Sequence, residues 1–455
     1  MCHPSCVEYF FWEAFVVNTV NVALIGLGTI GTGVARILSE YADRITDAVG
    51  SRVVLAKVCD KDLSRERDIT LPAEMLTDDF ERILDDPSIS IVIELIGGLE
   101  PARTMVLRSL QNGKNVITAN KALLAQHGAE LFDTAKKHGV TIAFEAAVCG
   151  GIPILGTLAT SLQANRFQSI HAIVNGTSNF ILSQMDEAGT NYQDAVNEAR
   201  RLGFAEADPT MDVDGTDAVQ KLAILARIAF GVRVDWKTIP RTGIEAIEAI
   251  DFRYARELGY KIKLLAVAAS TATGLELHVS PTLVRETNPL ARVDNAFNAV
   301  RVTGDCVGPV FFQGLGAGRM PTASAVLGDL IATVLGRTAI TFKALELWEE
   351  NRNGIAVKDP REVRGKSFLR MRAVDKPGVL HEISGVFGRH GISIASMIQH
   401  AGENRATGEH QEVKTPVSLI LTTHDAREGD MRHAIDELER LDCVYGKIVR
   451  IGLLD

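Results

Sequence analysis

The stretch VALIGLGTIGTGVARIL, residues 22–38, decides the fold. It opens with apolar, strand-prone residues and passes into a helix-like pattern, GTGVARILSEYADRI, over 31–45. Between the two, Gly26-Leu27-Gly28-Thr29-Ile30-Gly31 spells GxGxxG. Glycines at those places permit a tight turn, close approach of the backbone to a pyrophosphate and close strand–helix packing. The free N–H groups and positive end of the following helix favour phosphate. A lone GxGxxG is a common turn, but here the strand before it and the helix after it supply the context that binding requires. Gly26, Gly28, Thr29, Ile30 and Gly31 are therefore read as cofactor-binding residues.

Outward from this stretch, VVLAKVCD (53–60), ISIVIELIGG (89–98) and NVITAN (115–120) alternate with amphipathic helical patterns. Short β-branched runs alternating with helices indicate βαβ units and a parallel sheet. Residues 21–145 are assigned to a Rossmann-type nucleotide-binding domain of the α/β class. The second strand ends at Asp60. An acidic residue there accepts hydrogen bonds from the ribose 2′-OH, which points to NAD. Lys61, Arg65 and Arg67 stand close enough to hold a 2′-phosphate, so NADP stays open, and a merely solvated Asp60 is the plainer alternative.

The rest of the chain separates by pattern. Residues 146–318 mix strands such as SIHAIVNG (169–176), KLLAVAAS (263–270) and ELHVSPTLV (276–284) with long helices, an α+β domain. Residues 319–345 form a helix returning to the nucleotide domain. Residues 346–366, charged and containing NRNG and a proline, form a linker. A compact module fills 367–455, and 455 residues suffice for about three domains. The formal charge of -9 argues against a nucleic-acid or anionic-membrane footprint, which needs a basic face. The six cysteines show no CxxC pair or zinc spacing, and a chain this long needs no disulfide framework, so a reducing cytoplasm is expected. Within residues 1–20, the apolar run Val7–Val17 is broken by Glu8 and Glu13 and has no basic residue before it. It fits neither a signal peptide nor a spanning helix of about 20 apolar residues, and reads as an appended extension.

The most specific segment is ARRLGFAEADPTMDVDGTDAVQK, residues 199–221. Asp217 and Lys221 stand four apart at the start of a helical pattern and share one face. Oxidising an alcohol to an aldehyde requires a group that takes the hydroxyl proton and returns it in reverse. A lysine does this when burial and neighbouring cations lower its pKa. On spacing alone, a surface ion pair is the other reading. The wider pattern of Ala199, Gly203, Phe204, Ala205, Asp208, Pro209, Asp212, Val213, Gly215, Asp217 and Lys221 resembles the homoserine dehydrogenase signature throughout.

That resemblance implies NAD(P)-dependent interconversion of L-homoserine and L-aspartate 4-semialdehyde, with 146–318 as catalytic and dimerisation domain. Lys221 is implied as proton donor and acceptor, and Glu206, Asp212 and Asp217 as carboxylates that bind homoserine and order the site. Phe204 stands where several relatives carry Tyr, so a hydroxyl is missing. Thr118-Ala119-Asn120-Lys121 resembles the family's ANK turn and makes Lys121 a second catalytic candidate beside the nicotinamide. In Val174–Asn179 (VNGTSN), Gly176 and Thr177 are implied to meet substrate, while Thr177 or Ser178 equally serves as an N-cap. The turn Glu145–Pro153 (EAAVCGGIP) resembles a monovalent-cation site, with sodium or potassium held by Glu145 and by main-chain oxygens of Val148, Gly150 and Ile152. Cys149 within it is either a nucleophile, as in acylating aldehyde dehydrogenases, or a small apolar filler. Gly98 and Gly318, the latter in the returning stretch 314–324, are implied to approach the cofactor. Arg319 departs from the small or polar residue familiar there.

The segment FLRMRAVDKPGVL (368–380), a helix and GISIAS (391–396) resemble the ACT domain, a ferredoxin-like βαββαβ module. Asp375–Gly378 make a turn, and Gly378 opens a helix whose N–H groups suit an amino-acid carboxylate. The implied effector is threonine; a domain that only dimerises is the alternative. Removing the chain from Phe368 onward is expected to keep activity and abolish threonine inhibition. The family further implies a homodimer or homotetramer. With no kinase-like phosphate loop before Gly26, a monofunctional enzyme is expected. Competing readings are a catalytically silent amino-acid sensor and a dehydrogenase of another semialdehyde; the intact Asp217 and Lys221 argue against the sensor.

Overall fold

The computed structural model describes residues 18–344, 355–399 and 416–455. The expected extension therefore lies outside the described residues up to position 17, as do 346–354 of the expected linker. Six parallel strands follow: β1 (Thr19–Ile25), β2 (Arg52–Cys59), β3 (Leu76–Thr77), β4 (Ile89–Glu94), β5 (Asn115–Thr118) and β6 (Ile142–Ala143). Their spatial order, β3-β2-β1-β4-β5-β6, reverses direction beside β1, and such a switch point is where α/β sheets bind ligands. Val22 and Leu24 of β1 pack under Val34, Ala35 and Leu38 of the helix Thr29–Glu40, one apolar face against another. The expected return helix is two helices, Arg319–Val334 and Arg337–Ala344. The first adds Ala323, Val326, Leu327 and Leu330 to the same core. It approaches so closely that a Cβ on Gly33 would stand 3.2 Å from that of Ala323.

A second, largely antiparallel sheet carries the rest. Its strands are β7 (Phe167–Ile173), β8 (Tyr260–Thr271), β9 (Gly274–Arg285), β10 (Phe297–Gly304), β11 (Gly308–Leu315), β12 (Arg364–Val374), β13 (Ile394–Gln399), β14 (Pro416–Thr423), the short β15 (Ala426–Arg427) and β16 (Val444–Leu454). The order is β11-β10-β7-β8-β9-β16-β12-β14-β13. With the helices Val379–Arg389 and Glu428–Leu438, β12 to β16 give the expected βαββαβ module.

Residues 355–366 of the expected linker lie against the catalytic sheet: β12 begins at Arg364, Val357 bridges Leu275, and Lys358 Nζ lies 2.7 Å from Glu276. The C-terminal module continues the same sheet. β16 runs parallel to β9, with Gly452, Leu453 and Leu454 opposite Thr282, Leu283 and Val284. Phe368, Ile420 and Ile451 belong to the same buried core as Leu264 and Leu277. A cut at Phe368 therefore passes through a shared sheet and core. Among the described residues no helix is long and apolar enough to cross a membrane.

Candidate active site

The glycine loop has the geometry its spacing implies. Gly26 has φ +97°, and a Cβ there would lie 2.8 Å from the backbone of Leu95. A Cβ on Gly31 would lie 2.0 Å from the Gly26 oxygen, so only glycine lets strand and helix meet. Gly28, the N-cap residue, faces open space, and no side chain caps the helix that starts at Thr29. Free N–H groups beside open space fit a dinucleotide's phosphates. Asp60 is tied to this loop: one carboxylate oxygen accepts from Leu27 N at 2.6 Å and the other from Asp62 N at 2.9 Å. Arg67 folds over the loop, donating to the carbonyls of Leu27, Arg65 and Asp62 and lying 3.3 Å from Asp60. Most of its donors are therefore spent inside the protein, leaving the exposed Lys61 and Arg65 as the cations free to meet a 2′-phosphate. Arg319 pairs with Asp68 at the same edge.

Across the sheet, the fully buried Glu94 ends β4. Its carboxylate accepts from Ile96 N, Gly97 N and Thr118 Oγ1 at 2.9, 3.2 and 2.6 Å. Asn120 donates to the Gly98 carbonyl at 2.7 Å and caps the helix Lys121–Lys137 by accepting from Leu123 N. These bonds fix the two turns that hold Gly98 and Lys121 at one end of the sheet. In the sequence, the signal for Glu94 is a lone carboxylate inside the apolar run of β4.

Lys121, Asp212, Asp217 and Lys221 come together. Gly215 (φ +84°) turns the chain into the helix Thr216–Phe230, which buries Asp217. One Asp217 oxygen lies 3.0 Å from Lys121 Nζ and the other 2.8 Å from Lys221 Nζ. Asn175 donates to both Asp212 and Asp217, at 2.7 and 2.9 Å, and so ties the two carboxylates together. Lys221 also donates to the Val174 carbonyl at 2.6 Å, which Asn298 bonds at 3.0 Å. Asn175, not Thr177 or Ser178, is the N-cap of the helix Gly176–Ala188. Thr177 Oγ1 instead donates to the Phe204 carbonyl at 2.6 Å. Gly176 passes so close to Ala296 that a Cβ would lie 2.8 Å from its oxygen. Glu206 sits exposed on the loop before the helix Thr210–Val213. The Phe204 ring packs with its centroid 4.8 Å from that of Phe180.

The electrostatics correct one expectation. Burial pulls the Lys221 ammonium toward the neutral form, but Asp217, helped by Asp212, outweighs it and holds its pKa above the ordinary lysine value. Asp217 shows the mirror image: burial favours its acid form, yet Lys221 and Lys121 hold it well below the usual carboxylate range. Asp212 is raised, mainly by burial, against the pull of Asn175. Lys221 therefore rests as a charged acid, not as the cation-depressed base that the sequence suggested.

Cys149 is fully buried at φ +57°, and burial pushes its thiol up to about 11. A thiol held neutral is no nucleophile, which removes the acyl-enzyme alternative. Cys149→Ala is expected to keep most of the turnover in a steady-state assay; complete loss would overturn that assignment. Glu145 is partly buried and accepts from Leu155 N and Gly156 N at 2.7 and 2.6 Å, while its own N–H donates to the partly buried Asp329 at 2.8 Å. Burial raises both carboxyls, Asp329 further for facing Glu145. A cavity of about 510 Å³ opens beside Glu145, Gly150 and Asp329. Two partly buried carboxylates bonded to backbone N–H groups line this cavity, and among the described residues no cluster of His, Cys, Asp or Glu offers a cation an all-side-chain site.

Comparison with known proteins agrees with this geometry. Residues 153–331 match the family described as homoserine dehydrogenase, 26–145 its NAD binding domain, and 367–443 the ACT domain. The chain is 40% identical to a homoserine dehydrogenase of Neisseria gonorrhoeae over 437 residues, 95% of this chain and 98% of the relative. It is 39% identical to that of Bacillus subtilis over 431 residues, 94% and 96% of the two chains. The crystal structure of a homoserine dehydrogenase from Thiobacillus denitrificans superposes with a TM-score of 0.87 at 42% identity, covering 96% of this chain and 99% of that one. A hyperthermophilic archaeal homoserine dehydrogenase in complex with NADPH matches with a TM-score of 0.58 at 28% identity, covering 70% and 98%.

Proposed function

The chain belongs to the homoserine dehydrogenase family and carries out the NAD(P)-dependent interconversion of L-homoserine and L-aspartate 4-semialdehyde, and from that premise we propose that the Asp217 cluster is its catalytic centre. The observation that carries this reading is one buried carboxylate, Asp217, holding two lysine ammoniums at 2.8 and 3.0 Å. When bound, the nucleotide supplies or accepts the hydride at the substrate's C4. Gly26, Gly28, Thr29, Ile30 and Gly31 hold its pyrophosphate on the helix N-terminus, Asp60 faces its ribose, and Gly98 and Gly318 let the backbone approach. An ammonium has three N–H bonds. Asp217 and the Val174 carbonyl take two from Lys221, so the third is left for the substrate oxygen. In reduction Lys221 gives that proton to the oxygen as its negative charge develops; in oxidation, neutral Lys221 takes it back. Lys121, more exposed and anchored to Asp217, steadies the same oxygen. Asp212 and Glu206 receive the substrate's ammonium, with Gly176 and Thr177 forming the floor.

The same reading assigns threonine as effector of the ACT domain, a sodium or potassium ion to Glu145 with the main-chain oxygens of Val148, Gly150 and Ile152, a homodimer or homotetramer, and a cytoplasmic location. Both NAD and NADP serve: Asp60 suits ribose hydroxyls, Lys61 and Arg65 suit a 2′-phosphate, and the archaeal neighbour's NADPH supports the latter. Initial rates with homoserine test this, using either nucleotide, sodium or potassium against tetramethylammonium at equal ionic strength, and added threonine. Both nucleotides are expected to be reduced, with a higher rate in the small cations and inhibition by threonine. A rate indifferent to the cation removes the ion, indifference to threonine removes the effector, and activity with one nucleotide alone overturns the dual preference.

A further inference from the structure

One ion pair joins the C-terminal module to the catalytic domain through a buried contact that the reaction chemistry does not use. Arg370, in the middle of β12, has a side chain only 6% exposed, and Asp251 on the helix Ala249–Glu257 is fully buried. Arg370 Nε donates to Asp251 Oδ1 at 2.7 Å and Nη2 to Oδ2 at 3.2 Å. Asp251 also accepts from Glu248 N at 2.9 Å, closing the capping box of that helix, and the Glu248 carboxylate lies 3.0 Å from the same guanidinium. The guanidinium thus grips a helix start rather than one side chain.

From that helix start a short, tightly packed segment leads to the active site. Ile247 N bonds the Ile244 carbonyl at 3.1 Å, and Ile244 N bonds the Val213 carbonyl at 2.9 Å. Ile244 and Ile247 are buried in the same core as Val213. Gly243 approaches so closely that a Cβ would stand 2.4 Å from the Val213 oxygen. On the other side Thr242 N bonds the Val279 carbonyl at 2.9 Å, and Val279 backs Gly215. Residues 242–248 are therefore wedged against the turn 212–215, which sets Asp212 and starts the helix of Asp217 and Lys221.

We propose that Arg370 is a positioning residue for the dehydrogenase reaction: from the C-terminal module it holds residues 242–251, and through them the turn that presents Asp212 and Asp217. Removing one partner of a buried pair leaves an uncompensated charge, whereas replacing both with apolar groups is tolerated far better. Without its guanidinium, Asp251 draws water to the helix start, the Ile244–Val213 bond loosens, and the substrate carboxylates lose register. The nucleotide loop, on another sheet, is untouched.

The test uses the full-length chain with Arg370→Met, Arg370→Lys and the double variant Arg370→Met/Asp251→Leu, assayed well below each melting temperature. Arg370→Met is expected to lower kcat/KM for homoserine at least about tenfold while KM for the nucleotide stays within about twofold. Arg370→Lys should recover part of that loss, and the double variant should recover more than Arg370→Met. The Ile244 amide should exchange hydrogen faster in Arg370→Lys than in the parent. A lower melting temperature with unchanged homoserine kinetics and unchanged Ile244 exchange would mean a structural tie only and would overturn the proposal. If Arg370→Met does not fold, Arg370→Lys decides by the same two readouts.

Discussion

Replacing Lys221 with alanine is expected to lower turnover by ~10²–10⁴-fold in both directions, the usual size of a general acid–base contribution, while nucleotide binding survives. The loss is chemical because the neighbours stay satisfied. Asp217 keeps Lys121 at 3.0 Å and Asn175 at 2.9 Å, so no buried carboxylate is stranded. The glycine loop of residues 26–31 is set by Leu95 and Asp60, on a different sheet, and does not depend on Lys221. Steady-state rates in both directions, with a fluorescence titration of the reduced nucleotide, separate the two effects. A fall of only a few-fold would show that Lys121 or a water handles the proton. Loss of nucleotide binding would show that the two halves of the site are coupled in a way the fold does not suggest.

What the sequence made legible was local. GxGxxG between a strand and a helix pointed to the nucleotide domain, because two of its glycines answer to contacts within one βα unit or its neighbouring turn, Gly31 against Gly26 and Gly26 against Leu95, while Gly28 leaves open space. Residues 199–221 likewise bring Asp212, Asp217 and Lys221 within reach through one turn and one helix. What stayed hidden depends on partners far apart in the chain. Asn175 meets Asp212 and Asp217 across about forty residues of sequence, and its amide looks like any N-cap until those elements are placed. Arg370 meets Asp251 across 119 positions, and the pairing of β16 with β9 joins strands that no local periodicity relates. That is why the linker and the C-terminal module read as separable when they share a sheet. The sign of the Lys221 shift was hidden for the same reason: it depends on whether carboxylates or cations surround the amine, and composition placed both nearby.

Asp217→Asn tests that sign. In the parent enzyme Lys221 is held above its ordinary value, so the ammonium needed for reduction is present below that raised pKa and is lost only as pH rises through it. The reductive rate should therefore stay flat toward the alkaline end of the enzyme's stability range. Asparagine keeps the shape of Asp217 but removes the charge 2.8 Å from Lys221. What remains is burial, which favours the neutral amine, so the pKa falls and the reductive rate should bend downward at lower pH than in the parent. At pH 9 reduction is expected to be slower by ~10²-fold, approaching loss of the whole proton-transfer contribution. Oxidation uses the other protonation state of the same amine, so its rising limb should move down in pH by the same amount, and a full pH–rate series in each direction reads both. Asp212 remains beside the amine, and its carboxylate limits how far the limb can travel; adding Asp212→Asn should push it further. Limbs that stay in place after Asp217→Asn would mean that Lys221 is not the titrating group, and that the buried pair only orders the helix start on which substrate is laid.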